Sequence, residues 1–335
     1  MKKEILISTL LLIAAIQVVA AQEYVLSQSR NIHMLNSSYY GFNNLSKTGV
    51  LFSAISYDGP EKIDTKFAYS CVNFDKLNFS LGLDINSFNI HPYGLVVNQL
   101  NLSYVYQFSL NYNTIVLPAI SLGIASRSLK ADQLIFEDQL NLLSGYIAAV
   151  SEDPLSLIDQ SRNHFDLGAS VLIYNEDFLV GLSFKHLNQP DISFNEGVSF
   201  KKDLSMSLQG AYERNLNYYG QNFLPENSYL FLYFSMTSAG KRLNAYASQE
   251  LQLSGFSFGI HENFSYLNEF SLLNMGVNAG VSFGNTNIDI SYSFPLTQSA
   301  NLFPPKMLEL SMSFDLNPFV RNNSGDYKRL KMDNF

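Results

Sequence analysis

The chain has 335 residues, 47% of them hydrophobic, and a formal net charge of −8. That length admits one large β domain or two ordinary ones, and the acidic balance argues against nucleic acid as a partner. Cys71 is the only cysteine, so no internal disulfide is available.

The N-terminus reads as an export signal. Lys2 and Lys3 precede an apolar run from Ile5 to Ile16, and Val19, Ala20 and Ala21 place small residues before Gln22. This is the pattern of a signal peptide over residues 1–21, cleaved near Ala21, with an apolar part too short for a membrane helix; the alternative is an anchor helix. No cysteine follows the run, which argues against a lipoprotein. No later segment approaches the ~18 apolar residues of a spanning helix. With 26 Phe, 20 Tyr and no Trp, the exported chain is either a large secreted β domain or an outer-membrane barrel.

Residues 22–46 show little periodicity and read as a periplasmic N-terminal segment. Strands follow at roughly 50–57, 63–72, 77–89, 98–110, 114–128, 164–174, 178–187, 204–215, 228–237, 242–253, 255–264, 271–283, 286–295 and 305–315, each from period-2 alternation bounded by turn residues. In the fourth, Leu100, Leu102, Tyr104, Tyr106, Phe108 and Leu110 oppose Gln99, Asn101, Ser103, Gln107 and Ser109. In the twelfth, Leu273, Met275, Val277, Ala279, Val281 and Phe283 oppose Asn274, Gly276, Asn278, Gly280 and Ser282.

Three features choose the membrane over a soluble sandwich. Many strands reach the ~10 residues that a tilted strand needs to cross a bilayer, against about five or six in soluble sheets. The polar faces are Ser, Asn, Gly and Gln, which suit a lumen, and hold few of the Lys and Glu that cover a sheet facing water. Phe74, Tyr112, Tyr174, Phe178 and Phe283 flank tight turns, as an aromatic girdle would. The expectation is an all-β, transmembrane, antiparallel up-and-down β-barrel of about 14 strands over residues 47–315, with a periplasmic C-terminal tail over 316–335.

Connections after the even strands are short and read as periplasmic; those after the odd strands are mostly long. Two break the rule, Leu216 to Asn227 and Ser238 to Lys241, and one miscounted strand near 216–242 would account for both. The longest loop, 129–163, holds Leu140, Leu142, Leu143, Tyr146, Ile147, Val150, Leu155 and Ile158, more apolar groups than a disordered loop carries; it reads as an ordered lid or contact surface.

Chemistry is sparse. His33, His91, His164, His186 and His261 show no metal-ligand spacing, and no GxSxG, HExxH or phosphate-binding glycine loop occurs. No catalytic, cofactor-binding or metal residue is assigned. Asp84, Lys185, Glu213, Asp289 and Glu309 fall on inward faces, where pairing with one another would fill the interior; ligand binding or pore lining is the alternative.

The run Asp166, Gly168, Tyr174, Phe178, Gly181, Ser183, His186, Leu187, Asn188, Gln189 and Pro190 resembles the signature of the PorP/SprF family, outer-membrane proteins of the type IX secretion system. Ser27, Gln28, Asn31, Leu35, Asn36, Tyr39 and Gly41 are similar to that family's opening elements, and Tyr292 and Glu309 to its closing ones. Ser37 and Ser38 replace a Pro-Ala pair, and residues 306–308 lack a histidine, which marks a divergent member. The resemblance implies a non-enzymatic role without cofactors, as an accessory or docking component for export or surface display of large secreted proteins such as gliding adhesins. Its implied partners are outer-membrane lipid, type IX secretion components and a secreted cargo protein. The alternative is a passive outer-membrane channel or small-solute transporter, which a wide polar lumen without a plug would favour.

Overall fold

A computed structural model of the chain describes residues 27–44, 46–57, 61–130, 139–141, 146–147, 160–194, 199–217, 223–225, 227–266, 270–296 and 305–316. The expected signal peptide, most of the 129–163 loop and the tail from 317 lie outside them. The strands are β1 (Lys47–Ser56), β2 (Lys62–Phe74), β3 (Phe79–His91), β4 (Leu95–Tyr106, continued by Phe108–Asn111), β5 (Thr114–Leu129), β6 (Gln160–Tyr174) and β7 (Phe178–Lys185). The second half holds β8 (Ser205–Asn215), β9 (Ser228–Ala239), β10 (Arg242–Leu253), β11 (Phe256–Tyr266), β12 (Phe270–Phe283), β13 (Thr286–Pro295) and β14 (Lys306–Asp315). Both parts of β4 pair with β5, so the 15 segments of the sheet make fourteen strands.

Every neighbouring pair is antiparallel and consecutive in sequence, and β1 closes on β14 in register from Lys47 opposite Asp315 to Ser56 opposite Lys306. Closure leaves no open edge, which a sheet in hydrocarbon requires because no water is there to satisfy it. The strand count near 216–242 needs no revision. Gly240, at φ +58°, turns the chain tightly between β9 and β10, and the long β8–β9 connection is tied by Asn217, whose amide donates to the Leu224 carbonyl at 2.7 Å.

The alternation places apolar groups outside. Leu83, Ile85, Leu100, Leu102, Ile120, Leu122, Ile124, Val277, Ile288 and Ile290 are all exposed large apolar residues, an arrangement a water-soluble protein avoids and a lipid-facing belt demands. A polar pair interrupts the belt: Gln249 donates to Glu262 at 3.5 Å on the outer face of β10 and β11. The tight turns at one end use left-handed residues, Asn78 (φ +53°), Ser254 (φ +49°) and Gly284 (φ +55°). Between β6 and β7, the Asn175 carboxamide oxygen accepts from the N–H groups of Asp177 at 3.0 Å and Phe178 at 2.7 Å, the local bonding that makes Asn a turn residue. This is called the short-turn end below, and the opposite end the long-loop end.

Phe74, Tyr112, Phe178 and Phe283 are exposed at the short-turn end, as a girdle requires. Tyr174 does not join them. It is 2% exposed, because it shares parity with the inward residues Ser170 and Leu172 rather than with Ile173, and its ring packs inside against Phe42 at 4.6 Å.

Val277 lies near the middle of β12 and is 53% exposed. Val277→Lys is expected to destabilise the barrel by about 2–4 kcal/mol, the cost of a lysine at the bilayer midplane, whereas Val277→Leu should be near neutral. Denaturant unfolding in lipid vesicles checks both.

Candidate functional site

Residues 27–44, upstream of β1, lie in the lumen. The segment expected in the periplasm, 22–46, is described from residue 27, and residues 27–44 pack against the inner wall as two short helical stretches, Ile32–Met34 and Ser37–Asn44. A fourteen-stranded barrel is too wide for its own side chains to fill, since about eight strands is the limit for that. The segment supplies Ile32, Met34, Tyr40 and Phe42 to an apolar cluster with Phe67, Tyr69, Val105, Leu117, Leu172, Tyr174, Phe231, Tyr233 and Tyr246. Its backbone is satisfied locally: the N–H of Asn31 donates to Ser27, those of Leu35 and Asn36 to Ile32, and that of Tyr39 to Asn36.

Polar tethers surround this apolar contact. Ser27 donates to the buried Glu309 carboxylate from its N–H at 2.9 Å and its hydroxyl at 2.6 Å. The Ser29 hydroxyl donates to Glu250. Arg30 pairs with Glu250 at 2.9 Å and with Asp289, and donates to the Ser257 hydroxyl at 2.8 Å. On the other wall the Tyr40 hydroxyl donates to Asp84 at 2.8 Å, and Asn101 donates to the other Asp84 oxygen at 2.7 Å. Lys185 donates to the Met34 carbonyl and Ser183 to the Leu35 carbonyl, both at 2.7 Å. A buried charge is tolerated only when paired and hydrogen-bonded. The inward charges Asp84, Lys185, Asp289 and Glu309, expected to pair with one another, each have a partner in the N-terminal segment, and the fifth, Glu213, is buried in the wall.

The signature hairpin of β6 and β7 is the seat of this segment. Gly181 leaves room for Asn36: a Cβ there would stand 2.6 Å from the Asn36 amide nitrogen, 2.9 Å from Leu172 and 3.0 Å from Gln209. Asn36 is fully buried, and its carboxamide oxygen accepts from the Ser38 N–H at 3.0 Å. Gly168 likewise has no space for a side chain beside Ser121. The Tyr174 hydroxyl accepts from the Asn43 N–H at 3.3 Å. Asp166 and His186 are both buried and meet at 2.6 Å, pinning the far end of the hairpin. There His186 and Gln189 take left-handed backbone conformations, at φ +61° and +42°.

Asn188 clamps β6 by accepting from the Leu167 N–H at 3.1 Å and donating to the Phe165 carbonyl at 2.7 Å. The buried Pro190 accepts from the Lys202 N–H at 2.9 Å. Beyond it, outside the strands, Asp191 accepts from the Ser193 N–H and hydroxyl and from the Phe200 N–H. These bonds, the Ser193 N–H foremost, hold its carboxyl well below the usual carboxylate range. Leu187 and Phe178 are exposed.

The histidines are scattered. His33 is enclosed by aromatic rings, Tyr69 being 3.8 Å away. His261 is buried against Tyr246 at 5.8 Å, and His91 lies 3.4 Å from Asp64. The inward aromatics of β2 and β9 and the carboxylate of Glu250 are site components that sequence reading did not single out. For β9 a signal was present: Tyr229 to Phe234 is apolar on both parities, which marks a strand covered by apolar groups on both faces.

Residues 18–314 match the family described as type IX secretion system membrane protein PorP/SprF. The chain belongs to that family. No curated protein matches the sequence. Among solved structures, PorP/SprF-type architecture here is similar to other outer-membrane barrels at low identity. A TodX monoaromatic hydrocarbon channel mutant shares 11% identity, with 85% of this chain and 94% of that chain covered, at a TM-score of 0.48. Omp33 from Acinetobacter baumannii shares 9%, with 82% and 100% covered, at 0.45. CdiB from Acinetobacter baumannii also shares 9%, at 0.43; 81% of this chain is covered, and the chain spans 60% of CdiB.

Residues of the lumenal segment line cavities on its two sides, Gln28 and Leu35 toward the long loops and Arg30, His33 and Phe42 toward the short turns, and His33, Met34 and Leu35 line a smaller one beside the signature hairpin. Intact protein in planar bilayers is therefore expected to conduct little, and a variant lacking residues 27–44 to conduct steadily, with heat-modifiable gel mobility confirming a folded barrel. Gly181→Val should give intermittent conductance by displacing Asn36, an overpacking cost of about 1–3 kcal/mol.

Proposed function

We propose that this PorP/SprF protein is a non-enzymatic outer-membrane component that serves type IX export or surface display of large secreted proteins, gliding adhesins among them, as a docking partner and not as an open pore. The observation that carries the reading is the occupied lumen. A solute channel needs a continuous polar path, whereas here the chain's own residues 27–44 set an apolar cluster across the lumen and are tethered to opposite walls.

On this reading the signature residues divide by role. Asp166, Gly168, Tyr174, Gly181, His186, Asn188 and Pro190 shape the seat and its end, while the exposed Leu187 and Phe178, with Gln189, are left for partners at the two rims. With the short turns in the periplasm, as the connection lengths favour, the seat's long-loop end faces the exterior.

A strain lacking the protein is expected to lose a large surface protein while small-solute uptake is unchanged, and the tagged protein to co-purify with secretion components. Reduced uptake with secretion intact would favour the channel reading instead.

A further inference from the structure

The vestibule at the long-loop end has walls of different chemistry. Phe88, Ile90, Leu95 and Val97 from β3 and β4 form an apolar wall; Leu35 and Gln28 of the lumenal segment form the floor. Beside the apolar wall stand Arg127, His164, Lys185, His186 and Lys202. Lys185 is committed to the Met34 carbonyl and His186 to Asp166, and Lys202 is engaged as well. Asp203 also lines the vestibule.

Arg127 differs. It is only 7% exposed, its Nε has no hydrogen-bond partner among the described residues, and its guanidinium lies 5.3 Å over the Phe194 ring. No carboxylate of the described residues pairs with it. Both ring nitrogens of His164 are also buried without partners. A largely buried guanidinium with no counter-ion among the described residues is costly, and its planar fork is shaped to hold a carboxylate through two parallel hydrogen bonds.

We propose that this vestibule binds a carboxylate carried on an apolar group, with Arg127 as the anchor and the β3–β4 wall receiving the apolar part. The carboxylate has two possible sources, an acidic side chain flanked by apolar residues in a polypeptide, or a free organic acid. Neither source is assigned by membership of the family.

The protein contains no Trp, so a bound indole is the sole such fluorophore. Full-length protein in lipid vesicles is titrated with acetyl-Trp-Leu-Asp-Leu-amide, its Asn counterpart, and indole-3-butyrate. The Asp peptide is expected to bind about tenfold or more tightly than the Asn peptide, the usual margin of a charge-assisted over a neutral pair. Arg127→Gln should erase that margin, and Arg127→Lys should restore part of it.

Binding of indole-3-butyrate alone, with the same dependence on Arg127, assigns the free acid as the source. Equal binding of the Asp and Asn peptides without binding of indole-3-butyrate, no binding of any probe, or binding unchanged in Arg127→Gln overturns the proposal. Should Arg127→Gln fail to fold, the salt dependence of the intact protein decides: affinity for the charged probe that falls as salt rises supports the site, and affinity insensitive to salt refutes it.

Discussion

The structure depends on one constraint, that a closed barrel of fourteen strands encloses more space than its wall can fill. Smaller barrels pack their own inward side chains together; wider ones must hold water or take in another element. Here the element is the chain's own N-terminal segment. Hydrophobic burial of Ile32, Met34, Tyr40 and Phe42 supplies an attraction proportional to the apolar area removed from water. The ionic tethers add little such attraction, because desolvation offsets much of what a buried ion pair gains. Their effect is on position: Arg30 has a single place where Glu250, Asp289 and Ser257 converge.

Three blocks of sequence that lie far apart become one assembly through this arrangement. Ser27 reaches Glu309, 282 positions away, and Leu35 reaches Ser183, 148 positions away. The signature hairpin is the meeting point, with glycine at 181 because a neighbouring carboxamide occupies the volume of a side chain. The aspartate–histidine pair at its far end gives the His186 ring and one Asp166 carboxylate oxygen each other as partners inside the wall.

PorP/SprF membership and a filled lumen bear on function together. The barrel wall is ordinary for an outer-membrane protein, apolar outside and small and polar inside. Among the described residues an aromatic and aliphatic cluster lies across its interior. What remains accessible is rim and vestibule, and these are surfaces suited to contact with other molecules. The long-loop vestibule adds the largely buried Arg127 beside an apolar wall.

The sequence by itself determined the barrel, its strand count and its closure order, because alternation with period two and tight turns are local properties, legible residue by residue. It also determined which of Asp84, Lys185, Asp289 and Glu309 face inward, since parity alone decides that. It could not show that residues 27–44 enter the lumen. Their short helical turns have no periodicity, and what holds them is a surface made only when strands from across the chain have closed. Tyr174 divides between the two: its parity places the ring inward, and only the lumenal segment gives that ring its partner Phe42. The tertiary structure decided the occupant of the barrel because burial and charge pairing act between residues near in space, whatever their separation along the chain.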